Sequence, residues 1–149
     1  MPDSLWRNFT SLDAANLPVI TRADGCYIYD QDGKKYLDAL AGLMCVNVGY
    51  GRKEIAAQVG EQLEKLAYFP SWNSAHPKAI EAADKIAEMS GMSRVSFYSS
   101  GSEAVEAAIK LARQYFQIKG RPNKRAIVSR QGAYHGTTLG ALSATAIPD

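Results

Sequence analysis

The sequence lacks the features that mark several classes of protein. In 149 residues it has two cysteines, two histidines and a nearly balanced charge, with 17 Lys+Arg against 15 Asp+Glu. A net charge of +2 is too small to predict a nucleic acid or an anionic membrane as partner. No apolar stretch approaches the ~18 residues that a membrane span requires. Residues 1–7 contain an early acid and no apolar run, so they predict no secretory signal.

The two cysteines are too few and too isolated for metal chemistry. Cys26 and Cys45 lie nineteen positions apart, with no second pair and no histidine cluster nearby. Two thiols do not make the usual four-ligand site, so no metal is predicted. Their number allows one disulfide, but reduced thiols are the better prediction because nothing points outside the cytoplasm.

The rest of the composition is that of a globular protein: 46% apolar, 21% charged and 9% aromatic. A chain of this length buries ~70% of its unfolded surface if it forms one unit. These values exclude disorder, a collagen-like repeat and a disulfide miniprotein. Residues 132–149 are typical of a loop that enters a further element, so we expect the chain to be a piece of a longer protein.

The local sequence patterns predict a hairpin and three helices. Segments 27–30 and 35–38 flank Asp32-Gly33, and Asp-Gly supplies the positive φ angles that tight hairpin turns require. A loop rich in glycine and small residues follows at 41–51. Amphipathic spacing then predicts helices over 53–67, 77–89 and 102–119, with Gly91 and Gly120 as the terminators of the last two.

The second half of the chain predicts a parallel βαβ unit. Residues 93–99 and 125–129 are short, apolar and rich in β-branched or aromatic side chains, so they are predicted as strands. The strongest helix of the chain lies between them, with Val105, Ile109, Ala112 and Phe116 on its apolar face. Strand, helix and strand at this spacing predict a right-handed crossover and an α/β fold.

The turn before the third helix could hold a phosphate. Ser100, Gly101 and Ser102 leave the first predicted strand and open the helix, where free amides and the helix dipole favour an anion. Either serine hydroxyl could add a donor. The alternative is ordinary N-capping, in which serine satisfies a free amide and Glu103 complements the dipole. The residues alone leave both interpretations open.

The loop after the second strand could hold a flat ligand. Tyr134, His135 and Gly136 offer an aromatic face and an imidazole, and both loops would lie at the same edge of the sheet. A packed Tyr-His pair is the plain alternative. Neither a Gly-Lys-Ser/Thr nor a G-x-G-x-x-G pattern occurs there, so a phosphate-bearing cofactor other than ATP or NAD fits better.

Three collinear segments resemble the class III, omega-amino-acid aminotransferases, which are pyridoxal-phosphate enzymes of fold type I. The segments are residues 99–113, residues 133–136 and, similar to the branch that uses pyruvate as acceptor, residues 36–51. The resemblance covers nearly the whole chain from about residue 20. It implies that residues 1–75 are an N-terminal segment and that residues 76–149 begin the large cofactor-binding domain and its sheet.

The resemblance also implies roles for individual residues. Ser100, Gly101 and Ser102 would hold the cofactor phosphate, and Tyr134 with His135-Gly136 would cover the pyridine ring. Leu43 and Met44 would line the substrate pocket, where the pyruvate-using branch usually has a tryptophan. Trp72 would lie near a homodimer interface, with a packed aromatic as its alternative.

The resemblance also shows what this chain does not contain. The family's Schiff-base lysine, its aspartate for the pyridine nitrogen and its arginine for the substrate carboxylate belong to later segments, so no catalytic residue is predicted here. Transamination between an amine or omega-amino acid and pyruvate is the expected activity of the complete enzyme. A decarboxylase, epimerase or aminomutase of the same fold, and a non-catalytic phosphate-binding module, remain the alternatives.

Overall fold

The computed structural model describes residues 4–8, 10–11 and 17–147. It divides the chain into two units, Met1–Phe69 and Pro70–Asp149, and each is described here by itself. Among the described residues, no helix has the length and apolar character needed to cross a membrane.

The first unit contains a three-stranded antiparallel sheet in the order β1-β2-β3. Strand β2 (Tyr27–Asp30) pairs with β3 (Lys35–Leu37), as predicted, with Tyr27 opposite Leu37. Strand β1 (Ile20–Asp24) pairs with β2 and was not predicted. Its sequence has one large apolar residue and no clear alternation, so only the pairing with β2 makes it a strand.

The hairpin turn depends on Asp30 and Gly33. Gly33 has a φ of +80° and its N–H donates to the carbonyl of Asp30 at 3.0 Å. The Asp30 carboxylate accepts from the N–H of Asp32 at 3.0 Å, from the N–H of Lys34 at 2.9 Å and from the hydroxyl of Tyr36 at 2.7 Å. These bonds, above all the one from Tyr36, hold the pKa of Asp30 below its usual value.

Three of the five helical segments of the structure match the predicted helices, and two are new. Their bounds are α1 (Ala41–Met44), α2 (Lys53–Lys65), α3 (Pro77–Ser90), α4 (Gly101–Ile118) and α5 (Leu139–Ala144). Helix α3 begins at Pro77, with Nδ1 of His76 accepting from the N–H of Ala79. It ends at Gly91, whose φ of +70° is the left-handed conformation that closes many helices. The segment α1 lies in the predicted loop, and α5 in the segment predicted to enter a further element.

The apolar face predicted for α4 is confirmed. Its four residues, Val105, Ile109, Ala112 and Phe116, are partly buried, and the helix packs on α5. Among the described residues of this unit, the buried apolar ones are Ala141 and Ala144, both on α5. In α3, by contrast, the apolar residues Ile80 and Ile86 are 50% and 43% exposed. Within its own unit, no described helix or strand packs on α3 closely enough to cover them.

The predicted parallel sheet is not formed within the described chain. Residues 93–99 and 125–129 form neither helix nor strand, and the two segments do not pair with each other. The prediction assumed that consecutive strands of a βαβ unit are neighbours in the sheet. Apolar, β-branched composition gives strand propensity, but a strand needs a partner on which to form its ladder of hydrogen bonds.

Candidate cofactor-binding site

The turn at the start of α4 caps the helix and leaves hydrogen-bond donors free. The Ser100 hydroxyl oxygen accepts from the N–H of Glu103 at 3.2 Å, which is ordinary N-capping. The Glu103 carboxylate accepts from the N–H of Ser99 at 3.0 Å, and the turn is thereby fixed on both sides. A hydroxyl that accepts one bond keeps its own hydrogen for another acceptor, so capping leaves Ser100 able to donate.

Two backbone amides at this helix end remain available. The N–H groups of Gly101 and Ser102 have no acceptor among residues 17–147. They lie at the positive end of an 18-residue helix, where amides and dipole together attract an anion. A Cβ atom added at Gly101 would meet nothing within 4 Å, so the space beside this turn is open. Donors, dipole and open space all fit a phosphate group.

The loop that carries Tyr134 closes on itself. The N–H of Gly132 donates to the carbonyl of Ala146 at 2.7 Å, and the N–H of Ala146 donates to the carbonyl of Ala133 at 2.9 Å. Inside the loop, the N–H of His135 donates to the Thr145 hydroxyl at 3.0 Å. The Tyr134 side chain is 61% exposed, so its ring is free to stack on a flat ligand.

The two predicted loops meet at Ser102. The Ser102 hydroxyl oxygen accepts from the N–H of Thr137 at 3.0 Å, and the Thr138 hydroxyl donates to the Ser102 carbonyl at 3.4 Å. Gly136 is buried and has a φ of +125°. A Cβ atom there would lie 2.5 Å from Oγ of Ser102, so the loop can approach the helix only because residue 136 is glycine. The sequence predicted this meeting through a shared sheet edge, whereas direct contact of the loop with α4 produces it.

Glu106 adds a second attachment that the sequence analysis missed. Its carboxylate accepts from the N–H groups of Gly140 and Ala141, at the start of α5, at 2.5 and 3.3 Å. The pKa of Glu106 lies below its usual value because the Thr138 side chain and then the Gly140 N–H bond to the charged form. The signal in the sequence was a glutamate beside Val105, on the partly buried face of the helix.

The three residues predicted for the substrate pocket and the dimer interface are strongly exposed. Leu43 and Met44, in the first unit, are 70% and 71% exposed. They belong to α1, in which Ala41, Gly42, Leu43 and Met44 all have positive φ, so the segment is a left-handed turn rather than an ordinary helix. Trp72, in the second unit, is 96% exposed, and both interpretations of it stay predictions.

Asp38 holds the left-handed turn. Its Oδ2 accepts from the N–H of Gly42 and from the hydroxyl of Tyr50, each at 2.7 Å, and its Oδ1 accepts from the N–H of Leu40 at 3.2 Å. The hydrogen bond with Tyr50 is the main reason that the pKa of Asp38 is lowered and the pKa of Tyr50 is raised.

The site combines a capped helix, two open amides and an aromatic loop. Such an arrangement suits a flat phosphorylated cofactor. Comparison with known sequences identifies the family. The family model for class III aminotransferases matches residues 11–148. The chain belongs to the class III aminotransferase family, which confirms the resemblance read from the sequence. Its fold is the corresponding part of a fold type I, pyridoxal-phosphate-dependent transferase.

Individual relatives agree with this assignment. The chain is 49% identical to a probable aminotransferase of Mycobacterium tuberculosis, and the match covers 97% of this chain and 32% of the relative. It is 40% identical to the putrescine–pyruvate aminotransferase of Pseudomonas aeruginosa, over 93% of this chain and 31% of the relative. The structure superposes on a PLP-bound amine transaminase from an uncultivated Pseudomonas species with a TM-score of 0.89, at 37% identity, over 95% of this chain and 33% of the other. The chain therefore spans about a third of the length of these relatives.

Proposed function

We propose that this chain forms part of a pyridoxal-phosphate-dependent aminotransferase that moves an amino group from an amine or omega-amino acid to pyruvate. The observation that carries the proposal is the junction at Ser102, where a helix end with two available amides meets the loop of the exposed Tyr134. Family membership and the PLP-bound structural relative support the choice of cofactor. The putrescine–pyruvate enzyme supports the choice of acceptor.

The residues of this junction would bind the cofactor at both of its ends. The amides of Gly101 and Ser102 would bind the phosphate, with the Ser102 hydroxyl as a further donor. Because that hydroxyl oxygen already accepts from Thr137, its hydrogen is left to point toward a phosphate oxygen. The Tyr134 ring would lie against the pyridine ring, and His135 and Gly136 would complete that wall.

The bound cofactor would supply the electron sink that lets a substrate amine lose a proton and exchange its nitrogen. The residues of this chain would position the cofactor. They would anchor its phosphate, orient its pyridine ring and exclude water from one face of that ring. The covalent lysine would come from the part of the enzyme that corresponds to the remaining two thirds of the relatives. We further propose that residues 76–149 begin the cofactor-binding domain and that the complete enzyme is a homodimer.

Leu43 and Met44 would form one wall of the substrate pocket, and Trp72 would lie near the dimer interface. Methionine is unbranched and flexible, so Met44 gives an adaptable wall where the pyruvate-using branch usually has a rigid tryptophan. We therefore propose that the donor is an amine whose carbon chain or ring needs more room than tryptophan would leave.

The test is to incubate the complete enzyme with pyridoxal phosphate, pyruvate and a panel of amines, and to measure alanine. Alanine formed only when both amine and pyruvate are present supports the proposal. Carbon dioxide release, racemisation or amino-group migration without alanine would instead indicate a decarboxylase, epimerase or aminomutase. A complete protein that does not bind the cofactor at all would indicate a non-catalytic module and would overturn the proposal.

A further inference from the structure

The left-handed turn Ala41–Met44 is an unusual piece of backbone. Its four consecutive φ values are +48°, +58°, +57° and +64°, and only one of the four residues is glycine. Side chains with a Cβ atom disfavour this conformation, so single left-handed residues are common and runs of them are rare. Such backbone persists where surrounding contacts impose it, and it is concentrated at ligand-binding and active sites.

The contacts that impose it converge on Asp38. One carboxylate oxygen of Asp38 accepts from both the Gly42 N–H and the Tyr50 hydroxyl at 2.7 Å. Gly42 is packed against the same group, since a Cβ atom there would lie 3.0 Å from the Tyr50 hydroxyl oxygen and 2.9 Å from Cγ2 of Val46. The turn is closed by the N–H of Val46, which donates to the Ala41 carbonyl at 2.8 Å.

The Tyr50 hydroxyl is itself fixed by the backbone. The N–H of Tyr50 donates to the carbonyl of Gly25 at 2.8 Å, and the N–H of Gly25 donates back at 3.3 Å. The end of the β1–β2 hairpin therefore positions the Tyr50 hydroxyl. That hydroxyl positions the Asp38 carboxylate, and the carboxylate holds the left-handed turn. The side chains that the turn presents, Leu43 and Met44, are apolar and more than two-thirds exposed.

We propose that Asp38 and Tyr50 are positioning residues that set the selectivity for the amine donor, because they fix the turn from which Leu43 and Met44 project. The proposal rests on the proposed function, in which Leu43 and Met44 line the substrate pocket. Neither Asp38 nor Tyr50 needs to touch the substrate. A loosened turn would move the pocket wall and change the donors that fit, while leaving the cofactor anchored at Gly101 and Ser102.

The chain offers a matched control. The Tyr36 hydroxyl donates to the Asp30 carboxylate at 2.7 Å, the same type of bond at the same distance, but this pair fixes the hairpin turn and not the left-handed turn. Tyr50→Phe and Tyr36→Phe thus remove the same atom and the same type of hydrogen bond. Only Tyr50→Phe frees the segment that carries Leu43 and Met44.

The test compares Tyr50→Phe, Asp38→Asn and Tyr36→Phe in the complete enzyme, with kcat and KM measured for a small and a bulky amine. For Tyr50→Phe we expect the ratio of the two kcat/KM values to change by about fivefold or more, chiefly through KM, as for loss of a charge-assisted hydrogen bond. The absorbance of the bound cofactor should stay that of the wild type. Tyr36→Phe should leave the ratio within about twofold.

Hydrogen exchange at the Gly42 amide reports on the turn without any catalysis and should be about tenfold faster in Tyr50→Phe and Asp38→Asn. Faster exchange with an unchanged donor ratio would overturn the proposal, as would equal ratios for Tyr50→Phe and Tyr36→Phe. If Tyr50→Phe does not fold, Asp38→Asn decides by the same two measurements. Failure of the proposed function is distinguishable, because the wild-type enzyme would then form no alanine.

Discussion

The hydroxyl oxygen of Ser102 accepts a hydrogen bond from the N–H of Thr137 at 3.0 Å across 35 positions of the chain. This bond is one of those that hold the start of α4 against the loop of Tyr134, and it also gives the hydroxyl a direction. With its oxygen engaged by the protein, the hydroxyl is left as a donor. A phosphate beside Gly101 and Ser102 would accept that hydrogen.

Ser102→Ala in the complete enzyme should weaken cofactor binding more than it weakens folding. It removes a donor to a phosphate, an effect of ~1.5–3 kcal/mol or roughly tenfold or more in Kd. It also leaves the Thr137 N–H without its acceptor. Titration of the cofactor-free enzyme with pyridoxal phosphate measures the effect. Ser90→Ala, the same change at the end of α3, is the control and should keep the wild-type Kd. An unchanged Kd with a large drop in Tm would make Ser102 purely structural.

Tyr134→Ala should reduce cofactor affinity and turnover together, whereas Tyr134→Phe should bind the cofactor nearly as well as the wild type. The ring face provides the stacking, an effect of ~0.5–1.5 kcal/mol, and phenylalanine keeps that face. The exposure of the Tyr134 ring makes a structural effect of its removal small. Cofactor titration and steady-state kinetics of both variants check this. Equal losses of affinity in the two variants would assign the role to the hydroxyl instead.

Gly136→Ala should detach the Tyr134 loop from α4. The new Cβ atom would lie 2.5 Å from Oγ and 2.9 Å from Cα of Ser102, at a φ of +125° that alanine rarely adopts. We expect destabilisation of roughly 2–3 kcal/mol, since overpacking and backbone strain act together. Gly132→Ala separates the two causes, because its φ is +76° but nothing lies within 4 Å of the added atom.

Thermal unfolding measures both glycine variants. Gly132→Ala should lose about 1 kcal/mol from backbone strain alone. A Gly136→Ala variant as stable as Gly132→Ala would show that the close approach to Ser102 is unimportant.

The attachment of α5 should weaken in acid. The pKa of Glu106 is lowered from its ordinary value of 4.5, mainly by the Thr138 side chain and the Gly140 N–H. A lowered pKa stabilises the fold above the unfolded-state pKa, and that stability is lost as the pH falls below 4.5 and through the lowered value. Glu106→Gln should therefore be less stable than the wild type near pH 7, and the difference should shrink as the pH falls toward 3.

Unfolding measured between about pH 3 and pH 7 checks the prediction for Glu106. Glu88→Gln makes the same change at an exposed ion pair with Lys85 and should show little difference from the wild type at any pH. A Glu106→Gln difference that is constant with pH would mean that the charge of Glu106 does not stabilise the start of α5.

The sequence by itself determined the local elements and the family. Asp32-Gly33 specified the hairpin turn, Pro77 and Gly91 bounded α3, and the spacing of apolar residues specified α4. Each of these depends on backbone freedom, capping or periodicity within a few residues, which a single segment encodes. The motifs around Gly101 and Tyr134 likewise identified the family, because their order along the chain is itself sequence information.

Only the tertiary structure decided which segments meet. The apolar run at 125–129 reads as a strand, yet a ladder requires a neighbour that local composition does not specify. The left-handed turn could not be predicted from Ala41, Leu43 and Met44, since these residues disfavour it and distant Tyr50 helps to impose it through Asp38. The attachment of α5 through Glu106 was likewise not predicted, because the sequence does not show which segment lies beside that carboxylate. Contacts between distant residues, and the strain that they can hold, depend on the folded arrangement, which local propensity does not encode.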